Sequence, residues 1–120
     1  MSKTGIEERR AHPRHPAAIE MQGSHEDGGV VARMITRDLS LGGLYCTSTT
    51  DFAEMTRLAV RLMLPLRDDG SEPVDLEAVV VRREQLASKG RPRFEFALYF
   101  TSVDELARKQ LERFLQPRTA

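Results

Sequence analysis

The chain has a single cysteine, no net charge and no long apolar run, and each scarcity narrows what it can be. Cys46, standing alone, excludes an intramolecular disulfide and a multi-cysteine zinc cluster, which makes a reducing cytoplasm the expected compartment. No apolar run approaches the ~20 residues that span a bilayer, and the opening MSKTGIEERR lacks the apolar centre of a signal peptide, so membrane insertion and export are not expected. The 18 basic residues are matched by 18 acidic ones. Non-specific nucleic-acid binding gains affinity by neutralising many phosphates, so this balance argues against it and any anion site must be local. Beyond Tyr45 and Tyr99 there is no aromatic platform on which single-stranded bases could stack. Asp68 and Asp69 lie in turn sequence with no catalytic partner, and no nucleophile-and-base arrangement occurs elsewhere, so the chain does not read as an enzyme. Repeats and low-complexity segments are absent.

What is present suits one domain of 120 residues. Residues 1–16 are polar, and Pro13 and Pro16 keep them extended. They predict a mobile arm, of which 1–8 precede a single domain over 9–116 and 117–120 form a tail. Period-2 alternation then marks strands. Ala17, Ile19 and Met21 point to one side, Val30, Ala32, Met34 and Thr36 follow on a strand over 30–37 after a turn at 23–29, and Leu44 and Cys46 face inward after a second turn at 38–43. Asp51–Thr56 reads as a connector with room for a helical turn. Leu58, Val60, Leu62 and Leu64 alternate into a hairpin signal at 65–73, and Val74, Leu76, Ala78 and Val80 return from it. A charged loop is expected over 82–91, and then the aromatic strand of Phe94, Phe96, Leu98 and Phe100 anchors the core. Only from about 103 to 115 does spacing turn helical, with Val103, Leu106, Ala107, Gln110, Leu111 and Phe114 on one stripe. Ser102 with Glu105 reads as a capping box, and Pro117 ends the helix. The expected fold is all-β with a C-terminal α-helix, a small antiparallel β-barrel of five or six strands.

Two short stretches carry the chemistry. RRAHPR places Arg9, Arg10 and Arg14 ahead of the first strand, and DLSLGGL places Asp38, Ser40, Gly42 and Gly43 after the second. Arg10 and Arg14 lie roughly 13 Å apart in an extended backbone, and a bend at Pro13 would bring their forks together. Fifteen of the 18 basic residues are Arg, the side chain that meets a phosphate or a guanine O6/N7 edge bidentately. Each such pair contributes ~1 to 3 kcal/mol of discrimination. Asp38 can accept from a guanine's amino and imino donors, Ser40 can reach a phosphate or cap its own turn, and Gly42 and Gly43 allow positive φ and close approach of backbone N–H groups to a ligand. Taken singly, a basic cluster near a terminus is a solvated arm and Asp-x-Ser-x-Gly-Gly is a turn. Together they supply arginines for an acceptor edge and phosphates, and a carboxylate for a donor edge.

In these residues the chain resembles the PilZ domain family, the cyclic di-GMP (c-di-GMP) receptor module of bacteria. The family's R-x-x-x-R stands here as Arg10-Ala-His-Pro-Arg14, and its D/N-x-S-x-x-G as Asp38-Leu-Ser40-Leu-Gly-Gly43. The resemblance covers about Glu8 to Gln116. It implies a six-stranded antiparallel barrel with one helix, on which the arginine arm wraps c-di-GMP while Asp38, Ser40 and Gly43 contribute from the other side. Arg9, just ahead of the pair, implies binding of an intercalated nucleotide dimer. One departure is Glu95-Phe96-Ala97-Leu98, where related sequences often carry a glycine before the final aromatic segment.

The reading is therefore a c-di-GMP receptor without a further cofactor or metal, which orders its arm and acts through an unidentified protein partner or through self-association, with Leu115 at the helix edge available for a partner or dimer contact. A rival keeps the fold as an adaptor for motility or pilus assembly that binds no nucleotide. Another is a small barrel for single-stranded nucleic acid. His12 and His15, with His25 or Cys46 as a distant third ligand, are too sparse for a metal site and read as surface or arm residues. Cys46 reads as a small buried hydrophobe.

Overall fold

Alternating apolar and polar side chains give each segment one face that water disfavours, and the chain satisfies all of these faces at once by rolling its strands into a barrel. The computed structural model describes residues 15–116. Its elements are β1 (His15–Pro16), β2 (Glu20–His25), β3 (Ala32–Leu39), β4 (Gly43–Ser48), β5 (Arg57–Pro65), β6 (Ser71–Leu86), β7 (Arg93–Ser102) and α1 (Glu105–Leu115). All pairings are antiparallel, in the order β1-β3-β2-β5-β6-β7-β4, and a further β3–β4 pairing closes β2 to β7 into a six-stranded barrel. The two-residue β1 is appended to β3.

The inward faces are those that the alternation predicts. Met21, Met34, Cys46, Leu58, Leu62, Val74, Val80 and Phe96 are buried among them. Gly23 belongs to β2 and not to the turn expected at 23–29. Its inward position is filled from across the sheet, since a Cβ there would lie 2.9 Å from the sulfur of Met34. Val30 is 79% exposed, and β3 begins only at Ala32. The connector at 51–56 holds no helix, because Met55 takes a left-handed φ of 71°, where helical hydrogen bonding cannot continue.

The expected charged loop over 82–91 is strand as far as Leu86. Arg82 to Leu86 pair with Ala97 to Arg93 on β7. Charge misleads there because the strand's alternation leaves Arg82 and Glu84 facing outward while Arg83 is matched across space. The Arg83 guanidinium grips Asp51 through two bonds of 2.5 and 2.8 Å and stands 5.0 Å over the ring of Phe94, and the backbone N–H of Arg83 donates to the Glu54 carboxylate. The Asp51 carboxyl is held below its ordinary value by the Arg83 hydrogen bond.

The helix cap also differs from the expected box. Asp104, not Ser102, is the N-cap, and its carboxylate accepts from the Ala107 N–H at 2.7 Å while Ser102 still belongs to β7. Ala107, Gln110 and Leu111 are buried, and the Gln110 amide donates to the Pro73 carbonyl at 3.3 Å, tying α1 to β6. Leu106 leaves the expected stripe, 67% exposed, while Val103, Phe114 and Leu115 pack partly against the core. Pro117 lies outside the described residues. No described helix is long and apolar enough to cross a membrane.

Candidate functional site

The site is built where β3 ends and β4 begins. Thr36 pairs with Cys46, but the next matched pair is Asp38 with Tyr45, so Arg37 is an extra residue and β3 bulges there. The bulge frees the Arg37 guanidinium to pass over β4 and meet Glu95 on β7 at 2.6 Å. Nothing in the alternation signals it. Asp38, half-buried, accepts from the Tyr45 N–H at 3.2 Å through Oδ1.

Ser40 is buried, and it spends its hydroxyl on the turn itself. Its Oγ accepts from the N–H groups of Gly42 and Gly43 at 3.1 and 3.2 Å and donates to the Gly43 carbonyl at 3.1 Å. That carbonyl also accepts from the Ser40 N–H at 2.9 Å. Of the two roles open to Ser40 from sequence, geometry shows the cap. The same bonds take up the N–H groups of both glycines, and neither glycine adopts the positive φ that its residue type allows. Gly43 is demanded instead by crowding: a Cβ would lie 2.2 Å from the carbonyl oxygen of Leu98. Beside it, the Gly42 carbonyl accepts from the Phe100 N–H at 2.9 Å. The turn is thus clamped by its own hydroxyl on one side and by β7 on the other.

Arg9, Arg10 and Arg14 lie outside the described residues, as does His12. The segment that follows them is placed beside the turn. His15 pairs with Leu39 and Pro16 with Asp38. Immediately after, the Ala17 N–H donates to the Arg37 carbonyl at 3.2 Å. The buried Thr36 hydroxyl accepts from the Ile19 N–H at 2.8 Å and donates to the Ala17 carbonyl. A hydroxyl that satisfies two backbone groups inside the barrel wall fixes where the chain enters. Thr36 therefore ties the segment 17–19 to the strand that leads into the turn after Asp38, a role that its place on an inward strand face conceals in the sequence.

Other candidates resolve into packing. Cys46 is fully buried, and burial, aided by the Glu95 charge, pushes its thiol up to about 12. His25 stands edge-on against Phe52, with ring centroids 5.3 Å apart. Among the described residues no three His, Cys, Asp or Glu side chains are grouped to hold a metal ion. At the departure from the family pattern, Phe96 and Leu98 turn inward and Glu95 and Ala97 outward, with β4 and β7 in unbroken register.

Solved structures share this architecture. The Bacillus subtilis inhibitor of motility, MotI/DgrA, superposes with a TM-score of 0.71 at 21% identity over 88% of this chain, which spans 48% of that protein's length. The PilZ domain of YcgR from Escherichia coli with c-di-GMP gives 0.69 at 20% identity, covering 89% of this chain and 88% of that one. The MrkH–c-di-GMP complex of K. pneumonia gives 0.69 at 19% identity over 89% of this chain and 51% of its own. At these identities the likeness establishes the fold. A search of curated proteins finds no match. The family model of the PilZ domain matches residues 8–116, nearly the whole sequence, and the chain belongs to the PilZ domain family.

Proposed function

We propose that this chain is a c-di-GMP receptor, in which Arg9, Arg10 and Arg14 hold the nucleotide's phosphates and guanine acceptor edges against the turn bearing Asp38. The observation that supports the reading is the pairing of His15 and Pro16, which follow the arginines in sequence, with Leu39 and Asp38. Ser40 and the glycines Gly42 and Gly43 serve by holding the turn in shape. Two structures of the same fold hold c-di-GMP. The role is one of binding, not catalysis. The signal passes to a protein partner, in the cytoplasm, when the nucleotide orders the arm against the barrel.

Calorimetric titration of the purified chain with c-di-GMP, GTP and a short oligonucleotide tests this. Heat with c-di-GMP alone, lost in Arg14→Ala and in Asp38→Ala, is expected, as is a ratio of two nucleotides per chain that falls to one in Arg9→Ala. Silence with c-di-GMP at high micromolar concentration sinks the receptor and leaves the adaptor that binds no nucleotide. Binding undiminished in Arg14→Ala keeps a receptor but removes this site.

A further inference from the structure

On the outer face of the barrel, four neighbouring strands each bring one residue into a row. Asp38 on β3 lies opposite Tyr45 on β4, Tyr45 opposite Ala97 on β7, and Ala97 opposite Arg82 on β6. The adjacent row carries Glu95 on β7 opposite Glu84 on β6. Strands stand about 4.8 Å apart, so the lone methyl of Ala97 leaves a gap one strand wide between larger side chains. The gap is a notch of about 90 Å³, floored by Ala97 and walled by Tyr45, Arg82, Glu84 and Glu95. Glu95 is already held by Arg37. Arg82 and Glu84 are exposed and point outward two residues apart, and neither joins an ion pair among the described residues.

An unpaired guanidinium and an unpaired carboxylate on one rim, above a flat small-residue floor, match the edges of one base. Guanine presents O6 and N7 as acceptors side by side, suited to an arginine fork, and its N1–H and N2 amino donors face the next edge, suited to a carboxylate. Adenine turns an amino donor toward the arginine and has no N1 donor for the carboxylate. The row begins at Asp38, so a nucleotide seated at the turn reaches the notch by crossing only β4. We propose that this notch seats a guanine base of the bound nucleotide, with Arg82 and Glu84 as the residues that read it. The inference rests on the receptor reading and extends that site from β3 to β6. It also gives Ala97 a purpose: a large side chain there would fill the floor.

The test titrates the full chain with c-di-GMP and cyclic di-AMP, as wild type and as Arg82→Ala, Glu84→Ala, Ala97→Leu and Asp38→Ala. Arg82→Ala is expected to weaken c-di-GMP about tenfold, the effect of losing one bidentate contact. Glu84→Ala should narrow the preference for c-di-GMP over cyclic di-AMP, and Ala97→Leu should weaken c-di-GMP more than either while the thermal melt stays cooperative. Should Ala97→Leu not fold, Arg82→Ala decides, since that side chain is exposed and its loss opens no cavity. Binding that Asp38→Ala abolishes but Arg82→Ala and Glu84→Ala leave at wild-type affinity and selectivity overturns this inference and spares the receptor reading. No binding by wild type overturns both.

Discussion

A single added carbon at residue 43 would meet the carbonyl oxygen of Leu98 at 2.2 Å, and because that atom belongs to the backbone of β7, no rotamer change can relieve it. Gly43→Ala must push β4 from β7 and is expected to cost about 2 kcal/mol or more, as overpacking does, read as a fall of several degrees in the melting temperature. A melt matching wild type would show that β4 is not held this close. The sequence displayed Asp38, Ser40 and the glycines plainly, because their residue types are unusual and closely spaced. It could not display that Ser40 would turn inward on Gly42 and Gly43, since a hydroxyl that can cap a turn can equally face a ligand. Nor could it display the Thr36 hydroxyl between Ile19 and Ala17, whose partners are 17 and 19 residues away.

Among elements, β5, the first half of β6 and β7 were legible residue by residue, because strict alternation survives wherever one face is buried and the other wet. The second half of β6 was not. There the residues Arg82, Arg83 and Glu84 form a strand whose outer edge lies against the connector 51–56, and the Arg83–Asp51 pair fastens it. The Asp51 carboxyl is held below the ordinary 3.8 in the folded chain, chiefly by the hydrogen bond from Arg83. Unfolded chains therefore bind more protons than folded ones in that range, so the stabilisation is full above the ordinary carboxylate value and disappears as pH falls through the depressed one. Thermal melts of wild type and Asp51→Asn followed into acid should differ near neutrality and converge at low pH. Asp51 is solvent-exposed and Arg83 half-buried, so water screens the pair and keeps the difference small, and curves that stay parallel throughout would discard this account. The bulges at Arg37 and near Val81 were equally hidden, since one extra residue in a strand leaves no mark on composition.

For the whole molecule, the wall depends on a long-range pairing of β4 with β7, Gly43–Ser48 against Phe94–Tyr99, and with β3–β4 also paired every strand of the closed wall has neighbours on both sides. Sequence spacing predicted strands joined by hairpins; it did not contain this long-range seam, which depends on how the sheet curls. The seam fixes the order in which a chain emerging from the ribosome can become competent. The turn after Asp38 is translated early, yet its clamps at Leu98 and Phe100 arrive more than fifty residues later, so the early half has nothing to close upon. On the proposed receptor function, a nascent chain arrested before residue 93 should remain sensitive to protease and take up no c-di-GMP, whereas one extended past residue 116 should resist and bind. Capture of the nucleotide by the shorter chain would contradict this. On the proposed receptor function, ligand sensing would then also report a closed barrel, because a chain without the β4–β7 seam has no clamped turn.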